Sequence, residues 1–379
     1  MMKRFLPLII SVLLFGIFLL LPARLFSSLV NENAVMSQRL ALTDTVLKGT
    51  LNQDYMMQSK QFLPIYGSSE LGKVDPFHPG LILNTRKSFK PTPFLVGTGG
   101  STDLVNAVEL GAQYDKLKGK KLVFIISPQW FTEHGLTKEN FDARISKAQI
   151  NQLFKQKKLS QPLKQAYAER LQQFKHVENR PFLKAIAQQK AEPHTNYLTS
   201  FYSEQLKKIE AIKSLLHFNK SELLQADGVA NANADWSKMK QAAIQYGQKH
   251  SASNAFGIRD EYWKLIKSHK RKINRDYEFK ENSPEFKDLE LLVRTLKEAG
   301  ANVTYVSLPS NGKWYDHIGI KQERREQIYQ KINQTVTDNG GELYDMTDKD
   351  YEDYVIADAV HVGWKGWVYI NEYLDQHVK

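Results

Sequence analysis

The sequence contains no cysteine among its 379 residues. A thiol nucleophile, a disulfide scaffold, a zinc ribbon and an iron–sulfur site are therefore excluded. Acidic residues are also in deficit, because 41 Asp and Glu stand against 52 Lys and Arg, for a net charge of +11. This excess favours a polyanionic neighbour, which can be nucleic acid, an anionic membrane surface or a phosphate polymer.

Long apolar runs are absent except near the N-terminus, where Phe5–Ala23 is a run of 19 uncharged residues. As a helix this run would span about 28 Å, close to the thickness of a hydrocarbon core. Lys3 and Arg4 precede it and only Arg24 follows closely, which predicts a cytoplasmic N-terminus and an extracellular body. A cleaved signal peptide is the alternative, but the run is long for one and no clear A-x-A site follows. We therefore expect residues 1–25 to be a cytoplasmic stub and a transmembrane anchor in the cell membrane, and export argues against a nucleic-acid partner.

Short apolar runs rich in β-branched and aromatic residues predict buried strands. They lie at Phe62–Tyr66, Phe94–Val96, Lys121–Ile126, Asn302–Ser307 and Glu342–Tyr344. Helical patterns separate them, at Ser101–Tyr114, Ser283–Glu298, Lys321–Asp338 and Gly363–His377. Strands that alternate with helices indicate a mostly parallel sheet covered on both faces, which is a three-layer α/β/α domain.

The middle of the chain breaks this alternation, since no convincing strand is found between about residues 138 and 282. Apolar residues at helical spacing predict a helical insertion there. Residues 147–220 hold 14 Lys and Arg against 5 Asp and Glu, and residues 264–275 hold six with no acid. Any single run is most simply a solvated helix face, but together they make the insertion a candidate docking surface for a polyanion. Residues 26–60 are predicted to be a helical stalk, and 61–379 the catalytic domain.

Two widely separated motifs carry groups suited to acyl transfer. Gly-Ser-Ser-Glu at residues 67–70 directly follows the first predicted strand, where α/β sheets build their sites. Asp-Ala-Val-His at residues 358–361 precedes the last helix, and its spacing lets a carboxylate orient an imidazole that accepts a serine proton. Taken singly, each motif is more simply an ordinary turn or a surface loop.

Candidate oxyanion donors follow the second and third strands. The loop Gly97–Thr102 is rich in glycine, which lets backbone N–H groups approach a developing oxyanion, and Gln129 adds a side-chain amide. Beside it, Trp130 and Phe131 are either core residues or a barrier to water. The loop lacks the lysine of a nucleotide P-loop, and no histidines have metal-ligand spacing, so no cofactor or metal is predicted.

The joint order of these motifs resembles the SGNH (GDSL-like) hydrolase family. The resemblance implies a flavodoxin-like sheet with Ser69 as the nucleophile and His361 and Asp358 as its triad partners. It also implies an oxyanion hole that includes Gly100 and Gln129.

The sequence departs from that family at two places. Ser68 stands where the family motif has Asp, and this leaves Ser68 as an alternative nucleophile. Gln129 stands where the family has Asn, with Ser127 in place of the preceding Gly. The oxyanion-hole assignment is the one that these departures put in question.

A closer resemblance, to the DltD family of D-alanine transfer proteins of Gram-positive bacteria, covers nearly the whole chain. It is carried by the anchor, the motifs above, Ser127–Phe131, Arg259–Trp263 and the tail Asp358–Trp364. The resemblance implies transfer of D-alanine to lipoteichoic acid, a polyglycerol phosphate, on the outer face of the membrane through a seryl ester. It implies a membrane-bound O-acyltransferase as a partner and, in some accounts, the D-alanyl carrier protein.

Two other functions remain open from the sequence. One is an esterase or thioesterase that hydrolyses D-alanyl esters or a mischarged carrier protein. A cytoplasmic carrier would not meet an extracellular site, which argues against its thioester as the direct substrate. The other is a non-enzymatic scaffold that binds teichoic acid through its basic helices.

Overall fold

The structure is a computed structural model that describes residues 2–73, 75–174, 177, 179–190, 197–216, 230–268 and 273–378. A parallel sheet with the strand order 2-1-3-4-5 lies at its centre. Its strands are β1 Phe62–Tyr66, β2 Thr92–Val96, β3 Lys121–Ile126, β4 Asn302–Ser307 and β5 Glu342–Asp345. Each predicted strand is present, and β2 and β5 are slightly longer than the sequence pattern predicts.

The α-helices of the described residues take up most of the remaining chain. The first eight are α1 Met2–Leu20, α2 Glu32–Gln38, α3 Asp44–Leu47, α4 Leu51–Gln58, α5 Pro79–Thr85, α6 Asp103–Gly111, α7 Lys138–Arg144 and α8 Lys147–Lys155. They are followed by α9 Gln161–Leu171, α10 Arg180–Ala187, α11 Tyr197–Leu216, α12 Trp236–His250, α13 Asp260–Ser268, α14 Glu285–Ala299, α15 Gly312–His317, α16 Gln322–Asp338 and α17 Trp364–His377. The helices predicted between and after the strands correspond to α6, α14, α16 and α17.

Both faces of the sheet are buried because alternate side chains of each strand point to opposite sides. In β1, Phe62 and Tyr66 belong to one core cluster, whereas Leu63 and Ile65 belong to the other. Helices α6, α14 and α16 cover the first face, and α5, α12 and α17 cover the second. The prediction of a parallel sheet flanked by helices is confirmed.

The insertion lies between β3 and α14, and its described residues form helices α7 to α13 without a strand. The segment 26–60, predicted as a stalk, is helical but packs into the body instead of projecting from it. Val35, Val46 and Met56 of this segment have no exposed surface and join the core cluster on the first face of the sheet.

Part of the basic charge of the insertion is used inside the protein. Arg170 forms two hydrogen bonds to the Asp288 carboxylate, at 2.7 and 2.8 Å, and Lys208 is fully buried. Lys175, Lys220 and residues 269–272, which also belong to the predicted basic runs, lie outside the described residues. Fewer basic side chains are therefore exposed on the described insertion than its number of Lys and Arg residues suggests.

Helix α1 presents apolar side chains to the outside between Phe5 and Leu20, the last of which is 82% exposed. By length and composition, no single helix among the described residues is sufficient to cross a membrane. The segments Phe5–Leu20 and Ala23–Leu29 meet those criteria together, with a bend of 95° between them.

Candidate active site

The Gly-Ser-Ser-Glu turn and the Asp-x-x-His loop meet beyond the carboxyl end of β1. Ser69 begins a short 3₁₀ turn, and its Oγ lies 2.7 Å from His361 Nε2. His361 Nδ1 in turn lies 2.7 Å from Asp358 Oδ2. The fold thus brings into contact a hydroxyl and an imidazole that are 292 positions apart in the chain.

Asp358 is held in one orientation by the loop that it begins. Its Oδ1 accepts backbone N–H groups from Val360 and His361, at 2.9 and 2.8 Å. Burial favours a higher pKa for Asp358, but the hydrogen bond and charge of His361, with those two N–H groups, lower the pKa to about 2. The carboxylate is therefore ionised at neutral pH and can fix the imidazole with Nδ1–H toward Asp358 and Nε2 toward Ser69.

The two neighbouring serines have different surroundings. Ser69 is half-buried and lines a cavity together with His361. Ser68 is buried, and its Oγ donates a hydrogen bond of 3.2 Å to the carbonyl of Thr98. This geometry favours Ser69 over Ser68 as the group that His361 can deprotonate.

The loop Gly97–Thr102 after β2, which we call the glycine loop, packs directly against the turn Gly67–Glu70, which we call the serine turn. Gly97 has φ +154°, and a Cβ there would overlap the carbonyl oxygen of Gly67. A Cβ at Gly99 would lie 3.7 Å from that of Ser69. Only glycine at position 97 permits this approach of two backbones.

The two predicted oxyanion residues occupy different places. Gln129 lines the same cavity as Ser69, and its buried Oε1 has no hydrogen-bond partner in the described structure. Gly100 has φ +86°, and a Cβ there would overlap Asn140. Neither Gly99 nor Gly100 lines the cavity, and of the two it is Gly99 for which Ser69 is the nearest neighbour of an added Cβ.

The cavity at Ser69 has a volume of about 470 Å³ and mainly apolar walls. Its apolar and aromatic lining comprises Trp130, Tyr262, Leu265, Ile266, Ile273, Tyr277, Trp314, Ala359 and Val360. The charged pair Arg275 and Glu278 lies on the same wall. Trp130 therefore faces the cavity, whereas its neighbour Phe131 is a core residue that packs 4.5 Å from the Phe286 ring.

Glu70 stabilises the serine turn through two hydrogen bonds that its carboxylate accepts, a role that the sequence did not indicate. Its buried Oε1 accepts the Ser68 N–H at 2.6 Å, and its Oε2 accepts the Ser127 hydroxyl at 3.3 Å. Burial raises the pKa of Glu70. The sequence signal for this role is that Glu70 directly follows Ser69 in the motif.

Asn311 and Arg259 form hydrogen bonds that fix the position of the loop Asp358–His361, which we call the histidine loop. Asn311 Nδ2 donates to the carbonyl of Asp358 at 3.1 Å, and Asn311 follows the end of β4, where polar residues are candidates for a site. The backbone N–H of Arg259 donates to Ala357 O at 2.8 Å, and its guanidinium pairs with the buried Asp75 at 3.2 Å. The Arg259–Trp263 stretch, to which the sequence alone assigns no role, thus connects the histidine loop to the chain beyond the serine turn.

Other parts of the described structure lack this combination of groups. A larger cavity, of about 700 Å³, lies at the amino ends of β1 and β3 beside Lys120. Lys120 there donates to the carbonyls of Met56, Ser59 and Phe62, which gives it a structural role. No cluster of three or more potential metal ligands is found among the described residues.

Comparison with known proteins gives one consistent result. A family model described as "DltD protein" matches residues 39–379. The chain is 60% identical over 378 residues to "Protein DltD" of Staphylococcus aureus (strain NCTC 8325 / PS 47), covering 100% of this chain and 96% of that protein. It is 32% identical over 391 aligned residues to "Protein DltD" of Bacillus subtilis (strain 168), covering 100% and 98%. It is 26% identical over 380 residues to "Protein DltD" of Lacticaseibacillus rhamnosus, covering 97% and 88%.

Proposed function

The chain belongs to the DltD family, and we propose that it is a membrane-anchored serine acyltransferase of the SGNH type that transfers D-alanine to lipoteichoic acid. The observation that carries the proposal is the unbroken series of 2.7 Å contacts from Ser69 through His361 to Asp358. The strand order 2-1-3-4-5, which is that of flavodoxin-like sheets, supports the SGNH type of fold. Family membership supports the D-alanylation of teichoic acid.

The first half of the proposed reaction forms a seryl ester. Ser69 Oγ attacks the carbonyl carbon of a D-alanyl donor while His361 Nε2 accepts the hydroxyl proton. The ionised Asp358 stabilises the resulting imidazolium. The tetrahedral species then collapses, the bond from carbonyl to leaving group breaks, and His361 returns the proton to the leaving group.

The second half repeats these proton transfers with a different nucleophile. His361 accepts a proton from a glycerol hydroxyl of the polymer, whose oxygen attacks the D-alanyl ester carbon. The bond to Ser69 Oγ then breaks, and the imidazolium protonates the serine. The apolar walls of the cavity, including Trp130, limit the water that competes with this hydroxyl.

Oxyanion stabilisation falls to groups beside Ser69. The candidate backbone donors are the N–H groups of Ser69 and of the glycine loop. Within that loop, Gly100 is the residue that the family resemblance implies. Gln129 is the side-chain candidate, because it lines the cavity and carries an amide NH₂ group that can donate to an oxyanion. Such preorganised donors typically contribute about 10²-fold or more to the rate.

The proposed location is the outer face of the cell membrane. Helix α1 and the bent continuation Ala23–Leu29 provide the anchor, with the N-terminus in the cytoplasm as the flanking charges predict. The proposed partners are the lipoteichoic acid chain and a membrane-bound O-acyltransferase, with the D-alanyl carrier protein as a further one. Their support is the family resemblance and the positive net charge of +11.

A serine-reactive fluorophosphonate probe tests the proposal on membranes that contain the full chain. We expect labelling of the natural protein, loss of labelling in Ser69→Ala, and retained labelling in the matched control Ser68→Ala. Loss in Ser68→Ala with retention in Ser69→Ala would show that the proposal assigns the nucleophile to the wrong serine. Absent labelling, together with normal cellular D-alanylation in Ser69→Ala, would support the scaffold instead.

Turnover of the acyl-serine distinguishes transfer from hydrolysis. A glycerol-phosphate acceptor should accelerate the disappearance of the seryl ester and should itself become D-alanylated. If the acceptor never raises turnover above the value in water, the protein is an esterase.

A further inference from the structure

Helix α11 is buried on one side and exposes several large apolar side chains on another. Phe201, Tyr202, Ile209 and Leu215 are each 43–46% exposed. At 3.6 residues per turn they lie within about 140° of the helix circumference, an arc that also contains Gln205 and the buried Lys208. We name these four residues the apolar face of α11. The opposite side, which includes Ser203, Glu210 and Ser214, is buried.

The middle of α11 is fastened to the end of helix α1. The fully buried Lys208 donates its ammonium N–H groups to the carbonyls of Phe18, Leu19 and Leu21, at 2.6, 3.1 and 3.0 Å. The last carbonyls of a helix lack intrahelical partners and carry partial negative charge, so a cation is favourable there.

Two more hydrogen bonds reinforce this junction. Gln205 Nε2 donates to the carbonyl of Leu19 at 3.2 Å, and Glu204 Oε2 accepts the N–H of Ala23 at 3.0 Å. Residues 204–208 of α11 therefore lie against the point where the long apolar helix ends.

That point fixes the depth of α11 relative to a bilayer. If Phe5–Leu20 and Ala23–Leu29 together form the anchor, the bend of 95° between them marks where the chain stops crossing the membrane, at its outer boundary. Ile209 follows Lys208 directly and Phe201 lies one turn before Gln205, so both lie within about 10 Å of this boundary at 1.5 Å per residue. This is the depth at which interfacial helices bury their apolar side.

We propose that the apolar face of α11 rests in the outer leaflet of the membrane, as a second, interfacial contact beside the transmembrane anchor. The inference rests on the anchor of the proposed function. A lipid occupant is favoured because this face continues the exposed apolar surface of α1. Tyr202 and the neighbouring Lys207 and Lys213 are also residue types that interfacial helices present to anionic headgroups.

The rest of the body is held firmly to α11, so this contact would orient the whole protein. Glu210 accepts the backbone N–H groups of Thr50 and Asn52, at 2.7 and 2.9 Å. On the same buried side, Asn151 Nδ2 donates to Ser203 Oγ at 2.7 Å. A body fixed at both α1 and α11 would hold its cavity at one constant orientation relative to the membrane.

The absence of cysteine from the chain makes site-specific labelling a direct test. The full chain is reconstituted in nanodiscs that contain anionic phosphatidylglycerol, and bimane is attached to Ile209→Cys. Lipids with a doxyl spin label near the headgroup should quench this bimane by about twofold or more, as expected for an interfacial side chain. Bimane on Lys238→Cys in α12, an exposed site, is the matched control and should stay unquenched.

A label on Leu13→Cys, within α1 and probed with lipids that carry the doxyl label deep in the acyl chain, separates the two ways in which the experiment can fail. Quenching at position 13 without quenching at 209 would overturn the interfacial contact and leave the anchor intact. No quenching at position 13 would reject the anchor, and the inference with it. Fluorophosphonate labelling of Ser69 in the same samples reports on the acyl-transfer site independently of either result.

The junction itself is tested by Lys208→Met, which keeps the bulk of the side chain but removes its donors. Lipid quenching at position 209 should fall in this variant, while quenching at position 13 should not change. A bimane at 209 that is shielded from aqueous quenchers but unaffected by doxyl lipids would show that protein covers this face, and would overturn the proposal.

Discussion

Two turns at the edge of the sheet each bury a carboxylate near the same histidine, and the two carboxylates behave differently. Glu70 lies under the serine turn, where it accepts the Ser68 N–H, and burial raises its pKa. Asp358 begins the histidine loop and also accepts backbone N–H groups, yet its pKa is lowered to about 2.

The difference comes mainly from direct contact with His361, since both carboxylates are largely desolvated and both accept backbone N–H groups. Asp358 touches the imidazole at 2.7 Å, so its hydrogen bond and charge outweigh the cost of desolvation. At Glu70 the charge of His361 is only a minor influence, and burial prevails. The comparison teaches that one carboxylate serves the proton transfer, whereas the other holds the backbone in place.

The largest expected effect is that of Asp358→Asn. The amide keeps the shape of the side chain but cannot stabilise the imidazolium, so turnover of the acyl-serine should fall by about 10⁴-fold, as in other triads. This loss corresponds to about 5.4 kcal/mol of transition-state stabilisation. Asp353→Asn, a change to an exposed carboxylate a few residues earlier, is the control and should be nearly silent. A loss of less than tenfold in Asp358→Asn would remove Asp358 from the mechanism.

A smaller effect concerns stability as a function of pH. Because the pKa of folded Asp358 lies below its ordinary value of 3.8, ionisation adds about 2 kcal/mol to the free energy of unfolding at pH 7. This contribution is present above about pH 4 and is lost as the pH falls through about 2. Denaturant unfolding measures the difference in the free energy of unfolding between the natural protein and Asp358→Asn. This difference should shrink near pH 3, where about half of the contribution from ionisation is lost. A difference that widens on acidification would contradict the lowered pKa.

The sheet can be predicted from the sequence because strands buried on both faces are continuous apolar runs. The sequence pattern predicts Lys121–Ile126 and Asn302–Ser307 with the bounds that the structure has. The order of the motifs along the chain resembles that of the SGNH family, and it is this resemblance that predicts Ser69, His361 and Asp358 in one site. For Ser69 the position directly after β1 adds a physical reason, since the carboxyl ends of parallel strands converge at one edge.

Contacts between distant segments cannot be predicted in the same way. The short helices of residues 26–60 carry buried polar side chains such as Asn52, whose partner Glu210 lies 158 positions away. Polar residues of this kind suggest exposure until the partner is known, so the packing of residues 26–60 into the body could not be predicted from the sequence. The sequence does not reveal the role of Glu70 for the same reason, because that role depends on Ser127 at the end of another strand.

The smallest expected effect is that of Glu70→Gln, and it tests the other half of the comparison. Because burial already favours the neutral form of Glu70, an amide oxygen can accept the Ser68 N–H without a large penalty. We expect turnover to fall by less than about tenfold and stability to change by less than about 1 kcal/mol, since the Ser68 bond is retained and the amide NH₂ can donate to the Ser127 hydroxyl oxygen instead of accepting from it. Glu70→Ala would instead leave the Ser68 N–H buried and unpaired, at a cost of about 1–3 kcal/mol. If Glu70→Gln were as inactive as Asp358→Asn, the charge of Glu70 would belong to the reaction, and the division of roles between the two carboxylates would be wrong.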